Sequence, residues 1–156
     1  MHCHITARLI LSACNVIVMT DSDCLNYCFT IIFTGGQTYS PGVYCSLPET
    51  FLLSSYQILT LDAMGDVGAE FTFIAASCFT SLPYTIVQLI NMASAGNVYW
   101  SIGSSATIGD YSTMVGNIIA TASITFNSYS TLSGRGLAGA AITCASGSTL
   151  VLARQT

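Results

Sequence analysis

Between residues 97 and 150 the chain repeats itself every eighteen residues, and this period constrains its fold more than any other feature. Written in register, NVYWSIGSSATIGDYSTM, VGNIIATASITFNSYSTL and SGRGLAGAAITCASGSTL place Thr107, Thr125 and Thr143 in one column and Thr113, Thr131 and Thr149 in another. The neighbouring columns are apolar: Ala106, Ile124, Ile142; Ile108, Phe126, Cys144; Met114, Leu132, Leu150. Eighteen residues are too few for a two-helix repeat and suit one coil of a β-solenoid, in which three short strands are joined by turns.

Side chains alternate along a strand, so in Ile124-Thr125-Phe126 the apolar residues point into the coil and the threonine points out. The same alternation exposes Thr107 and Thr143, and coils stacked about 4.8 Å apart turn the column into a ladder. The turns Gly109-Asp110-Tyr111-Ser112, Asn127-Ser128-Tyr129-Ser130 and Ala145-Ser146-Gly147-Ser148 stack likewise. Upstream, Leu59-Thr60-Leu61 and Phe71-Thr72-Phe73 share the in-out-in character, and Ile86 to Ile90 reads as an apolar strand. Their spacing departs from eighteen, which predicts an irregular solenoid with loops between coils. Pro41, Pro48 and Pro83 mark turns. The interpretable unit is residues 35–156; residues 1–34 are rich in cysteine and lack a period.

Composition removes several function classes. Charged residues are 6 % of the chain against 52 % hydrophobic, where about a quarter charged is usual in soluble domains. No uninterrupted apolar stretch approaches the roughly 18–20 residues of a bilayer span, so none is expected. The only cations are Arg8, Arg135 and Arg154, too few for a phosphate-neutralising footprint, which excludes nucleic acid as a main partner. The seven acids are scattered from Asp21 to Asp110. Glycoside hydrolysis needs two placed carboxylates and lyase chemistry a base beside a cation, so an enzyme is not expected, nor a cofactor.

The seven cysteines are an odd number, so at least one is unpaired within a monomer. His2-Cys3-His4 with Cys14 lacks the two spaced ligand pairs of a zinc site, and no metal is expected. The apolar segment Leu9 to Met19 after Arg8 resembles a secretory signal but is interrupted by Asn15. Asp62 and Asp66 around Gly65 read as turn-capping carboxylates, and Trp100 as a packing residue.

Gly35-Gly36-Gln37-Thr38 through Pro41-Gly42-Val43-Tyr44, Leu59-Thr60-Leu61-Asp62-Ala63 with Gly65-Asp66, and Asn97-Val98-Tyr99-Trp100 form an ordered series. It continues with Gly103-Ser104-Ser105-Ala106-Thr107, Val115-Gly116-Asn117-Ile118, Ser123-Ile124-Thr125, and Gly134-Arg135 with Leu137-Ala138. The series resembles the microbial ice-binding (antifreeze) proteins. That resemblance implies an all-β, irregular right-handed three-sided solenoid. Family members also carry starting coils and a long Ala-rich helix along one side; residues 1–34 match neither, so the helix is expected to be missing.

The resemblance further implies ice as the partner, secretion, and a monomer acting through a Ser/Thr-rich face. The family's Thr-Gly/Ala-x-Thr/Asn motif maps to Asp110-Tyr111-Ser112-Thr113, Ser128-Tyr129-Ser130-Thr131 and Ser146-Gly147-Ser148-Thr149. The implied contact residues are therefore Asp110, Ser112, Thr113, Ser128, Ser130, Thr131, Ser146, Ser148 and Thr149, with the Thr107, Thr125, Thr143 ladder as the other candidate surface. The resemblance favours the turn column. Tyr111 and Tyr129 stand where the motif expects a small residue. A non-catalytic adhesion or polysaccharide-binding module is the alternative, with Tyr99, Tyr111 and Tyr129 as its stacking candidates.

Overall fold

A computed structural model describes residues 29–30, 36–46 and 50–152. Parallel strands wind into a three-sided solenoid. The first face is built from β1 (Phe29–Thr30), β3 (Gly42–Ser46), β6 (Phe71–Ala75), β9 (Val98–Ile102) and the C-terminal halves of β11 (Thr113–Ala120) and β13 (Thr131–Ala138). The second contains β4 (Thr50–Leu53), β7 (Cys78–Ser81), β10 (Ala106–Ile108), β12 (Ser123–Phe126) and β14 (Ala141–Cys144). The third contains β2 (Thr38–Tyr39), β5 (Ile58–Asp62), β8 (Ile86–Ile90), the N-terminal halves of β11 and β13, and β15 (Thr149–Val151). Pairing of β1 with β3 carries the first face upstream of Gly35.

The eighteen-residue period is the strand register itself. Thr107 pairs with Thr125 and Thr125 with Thr143 on the second face, while Thr113 pairs with Thr131 and Thr131 with Thr149 on the third. Upstream coils are longer, because Thr107 pairs back to Thr80 and Thr60 to Gln88. The surplus lies in loops 63–70 and 91–97, both between the third and first faces, the second ending in a 3₁₀ turn at Ala95–Asn97. That turn is the one helical element among the described residues. The family's long helix, expected to be missing, would fall in a region outside the described residues.

In the last two long strands the loop disappears and β11 and β13 turn the corner as continuous strands. Gly116 and Gly134 make this possible: φ is +102° at Gly116, and a Cβ on Gly134 would lie 1.9 Å from the Gly116 carbonyl oxygen. No side chain fits between backbones that close.

The core is the inside of the triangle. Phe51, Phe71, Phe73, Phe79, Trp100, Ile118, Ile124, Phe126 and Leu132 are buried there, and of these Phe71, Phe73, Ile124 and Phe126 are the inward positions of the alternation predicted from sequence. Trp100 stacks on Phe73 at 4.3 Å and its indole N–H donates to the Val115 carbonyl at 2.8 Å. A buried indole donor is thus satisfied, as the packing role requires. Asp62 and Asp66 cap their loop, accepting the N–H of Met64 and of Gly68, each at 2.8 Å.

Candidate functional site: a hydroxyl ladder beside a tyrosine ridge

The twelve residues expected at the contact surface are divided between two faces and the turn that joins them. Thr107, Thr125 and Thr143 stand on the second face; Thr107 and Thr125 are flanked along their strands by buried residues, whereas the strand of Thr143, in the last coil, is exposed throughout. Register adds Thr80 to this ladder, followed upstream by Leu52. Beside it, Ser123 pairs with Ala141, and Thr50 with Cys78. No strand of the second face carries a charged residue. Its surface is made of hydroxyls, apolar groups and the thiols of Cys78 and Cys144.

Cys78 is free and half-buried. The hydroxyl of Ser77, donating to its sulfur at 3.6 Å, and a backbone hydrogen bond at Ser105 hold it below the usual thiol range. Cys144 is also free, whereas Cys45 is disulfide-bonded. The remaining cysteines, with His2 and His4, lie outside the described residues.

Thr113, Thr131 and Thr149 belong to the third face, each the first residue of its strand. Their column continues upstream as Ile86 and Ile58, so it changes from threonine to isoleucine halfway along the solenoid. The serines of the turn are corrected by the structure. Ser112 and Ser130 are 0 % exposed and cannot contribute to a contact surface. The Ser112 hydroxyl donates to the Leu82 carbonyl at 3.0 Å and accepts the Thr85 N–H at 3.2 Å. Ser130 and Ser148 donate to the carbonyls that open their own turns, Asn127 at 2.7 Å and Ala145 at 2.8 Å. These hydroxyls close the turn from inside. Asp110 is half-buried and its carboxylate accepts the Ser128 N–H of the next coil at 3.0 Å. Ser128 is half-buried and Ser146 exposed.

Between the two faces runs a ridge of four tyrosines. Tyr56, Tyr84, Tyr111 and Tyr129 stack in succession with ring centroids 4.8, 5.1 and 5.0 Å apart and interplanar angles of 8°, 3° and 10°. All four have positive φ: 58°, 62°, 55° and 58°. This is the third position of the turn, normally held by glycine or asparagine, and a bulky L-residue there costs about 1–2 kcal/mol. Stacking offsets part of that, at about 0.5–1.5 kcal/mol per pair. The fifth coil uses Gly147 instead, with φ 74°.

Thr80, Tyr56 and Tyr84 were not legible from an eighteen-residue frame. A signal for the tyrosines exists nonetheless: each precedes the first residue of its third-face strand by one intervening position, as in Tyr56-Gln57-Ile58, Tyr84-Thr85-Ile86 and Tyr111-Ser112-Thr113. Tyr99 lies on the first face, away from the ridge. The interior rings of the ridge cover one another's faces, which removes the open platform that a stacked sugar needs.

The chain is a three-sided parallel β-solenoid with an uncharged, in-register threonine face. The chain belongs to the Ice-binding-like family, whose match covers residues 10–149. It is similar to an ice-binding protein of Nostoc sp. (strain HG1), with 42 % identity over 90 residues, 58 % of this chain and 32 % of that protein. Among solved structures it resembles an ice-binding protein from an Antarctic biological consortium at 37 % identity and TM-score 0.72, covering 80 % of this chain and 55 % of that one. It also resembles the ice-binding protein of the Antarctic ascomycete Antarctomyces psychrotrophicus at 35 % identity and TM-score 0.72, covering 78 % and 58 %. The chain therefore spans about a third of the Nostoc protein and little more than half of these two structures. No helix among the described residues is long and apolar enough to cross a membrane.

Proposed function

We propose that this chain binds ice through its second face. The observation that carries the reading is the register of Thr80, Thr107, Thr125 and Thr143, four threonines level with one another on strands without a charge. Ice binding needs no bond making. It needs a rigid array whose hydroxyl and methyl groups hold surface water in a lattice-like arrangement, and a threonine ladder supplies both groups at about 4.8 Å intervals. Charged groups would hold water in hydration shells of their own, and this face has none.

The turn column favoured by the family motif is less suited, because Ser112 and Ser130 are turned inward and Ile86 and Ile58 replace threonine upstream. The similarity to ice-binding proteins supports the activity, while the second face is our assignment from its geometry. No catalytic role is proposed. Action outside the cell is part of the proposal, supported by a disulfide at Cys45, a bond that persists in oxidising compartments.

The test is ice recrystallisation inhibition and crystal shaping by the purified chain, beside Thr125→Tyr and Thr131→Tyr. Loss in Thr125→Tyr with retention in Thr131→Tyr is expected. The opposite pattern would move the contact to the third face, and a folded parent that leaves ice growth untouched would end the ice-binding reading.

A further inference from the structure

The tyrosine ridge is built at a cost that a turn alone does not explain. Glycine would occupy each of these left-handed positions without strain, yet four successive coils use tyrosine, at φ 58°, 62°, 55° and 58°. What the four share is one another: every ring lies parallel to the next at a centroid distance of 4.8 to 5.1 Å, which is the rung spacing of the sheets, about 4.8 Å. The same residues carry the backbone ties between turns. The N–H of Tyr56 donates to Pro83 at 3.3 Å, Tyr84 to Asp110 at 2.9 Å, Tyr111 to Ser128 at 3.0 Å and Tyr129 to Ser146 at 3.1 Å.

The ridge adjoins the threonine ladder directly. Each turn opens on the residue after a second-face strand, so that only Ile108, Gly109 and Asp110 separate Thr107 from Tyr111, and Phe126, Asn127 and Ser128 separate Thr125 from Tyr129. The second-face strands are three or four residues long, so few ladder hydrogen bonds act per rung to keep adjacent coils level. A stack of rigid rings at their ends supplies a second constraint on the same spacing.

We infer that the tyrosine ladder is a positioning element for the threonine ladder. By holding successive turns in line and at one pitch, it keeps Thr80, Thr107 and Thr125 coplanar. Its consequence for activity rests on the ice-binding reading of the second face; its consequence for geometry does not.

Tyr111→Gly and Tyr111→Phe, made in the full chain, test this. Glycine suits φ 55° better than tyrosine, so a role confined to the turn predicts a Gly variant at least as well ordered as the parent. The positioning role predicts the reverse: amide hydrogen exchange in β10 and β12 accelerates several-fold in Tyr111→Gly, and the concentration needed to inhibit recrystallisation rises several-fold. Tyr111→Phe, which keeps the ring and loses only the hydroxyl, stays at parental values in both measurements. Parental exchange in Tyr111→Gly overturns the inference, and so does a Phe variant that fails alongside it, since the hydroxyl and not the stack would then matter. If the parent itself is inert towards ice, the reading of the second face falls, and the exchange comparison alone decides the role of the ladder.

Discussion

Gly147→Ala interrogates the end of the tyrosine ridge, and its cost is calculable. Gly147 has φ 74°, where an alanine is strained by about 1–2 kcal/mol. The added Cβ would lie 2.5 Å from Cδ1 and 2.7 Å from Cε1 of Tyr129, against about 3.5–4.0 Å for an ordinary carbon contact. The Tyr129 ring must therefore retreat by about 1 Å. Its other face rests on Tyr111 at 5.0 Å, so the retreat disturbs that stack, worth about 0.5–1.5 kcal/mol.

Together these give a loss of about 2–3 kcal/mol, which for a chain of this size lowers the midpoint of thermal unfolding by about 5–10 °C. Far-UV circular dichroism on heating reads it directly. The same substitution made in a Tyr129→Gly background removes the clash and leaves only the backbone strain, so the two sites should be coupled by about 1 kcal/mol. Equal losses in the two backgrounds would refute the contact and with it the tight seat of Tyr129 over the last coil.

Three further outcomes are expected. Ser112→Ala should destabilise more than Ser130→Ala, because it leaves the buried Thr85 N–H without its partner, at about 1–3 kcal/mol, whereas the Leu82 carbonyl keeps the Thr85 hydroxyl and the Asn127 carbonyl keeps the Ser130 N–H; comparative thermal melts decide the order. Trp100→Phe retains an aromatic ring against Phe73 but abandons the buried Val115 carbonyl, a loss of about 1–3 kcal/mol in chemical denaturation. Cys78, whose thiolate is favoured by the Ser77 and Ser105 hydrogen bonds, should react with iodoacetamide at lower pH than an unstructured cysteine peptide. The sign follows from the depressed pKa: the reactive thiolate persists as pH falls through the range where an ordinary thiol is already protonated.

The coil was legible in the sequence because a solenoid writes its geometry in columns. Each coil meets the next at the same residue positions, so Thr107, Thr125 and Thr143 repeat at a fixed interval and the alternation around them separates inside from outside. Leu59-Thr60-Leu61 and Phe71-Thr72-Phe73 were readable for the same reason, although their coils are longer. Thr80 escaped because loop 91–97, between it and Thr107, puts its coil out of the eighteen-residue frame, and a register that depends on loop length is settled only when strands pair.

The tertiary structure also decided which hydroxyls face water. Period-two alternation holds along strands such as β10 and β12 but fails at the corner inside β11, where residues 114–118 are all buried, and at turns, where a left-handed residue such as Tyr111 redirects the chain and the following Ser112 points inward to the Leu82 carbonyl. Sequence placed Thr113 and Thr107 in parallel columns; only the corner between them puts those columns on different faces. The tyrosine ridge belongs to the same category. Four phenol rings scattered over Tyr56 to Tyr129 become one stack because the coils bring them to a common pitch, a relation that exists between coils and not within any one of them.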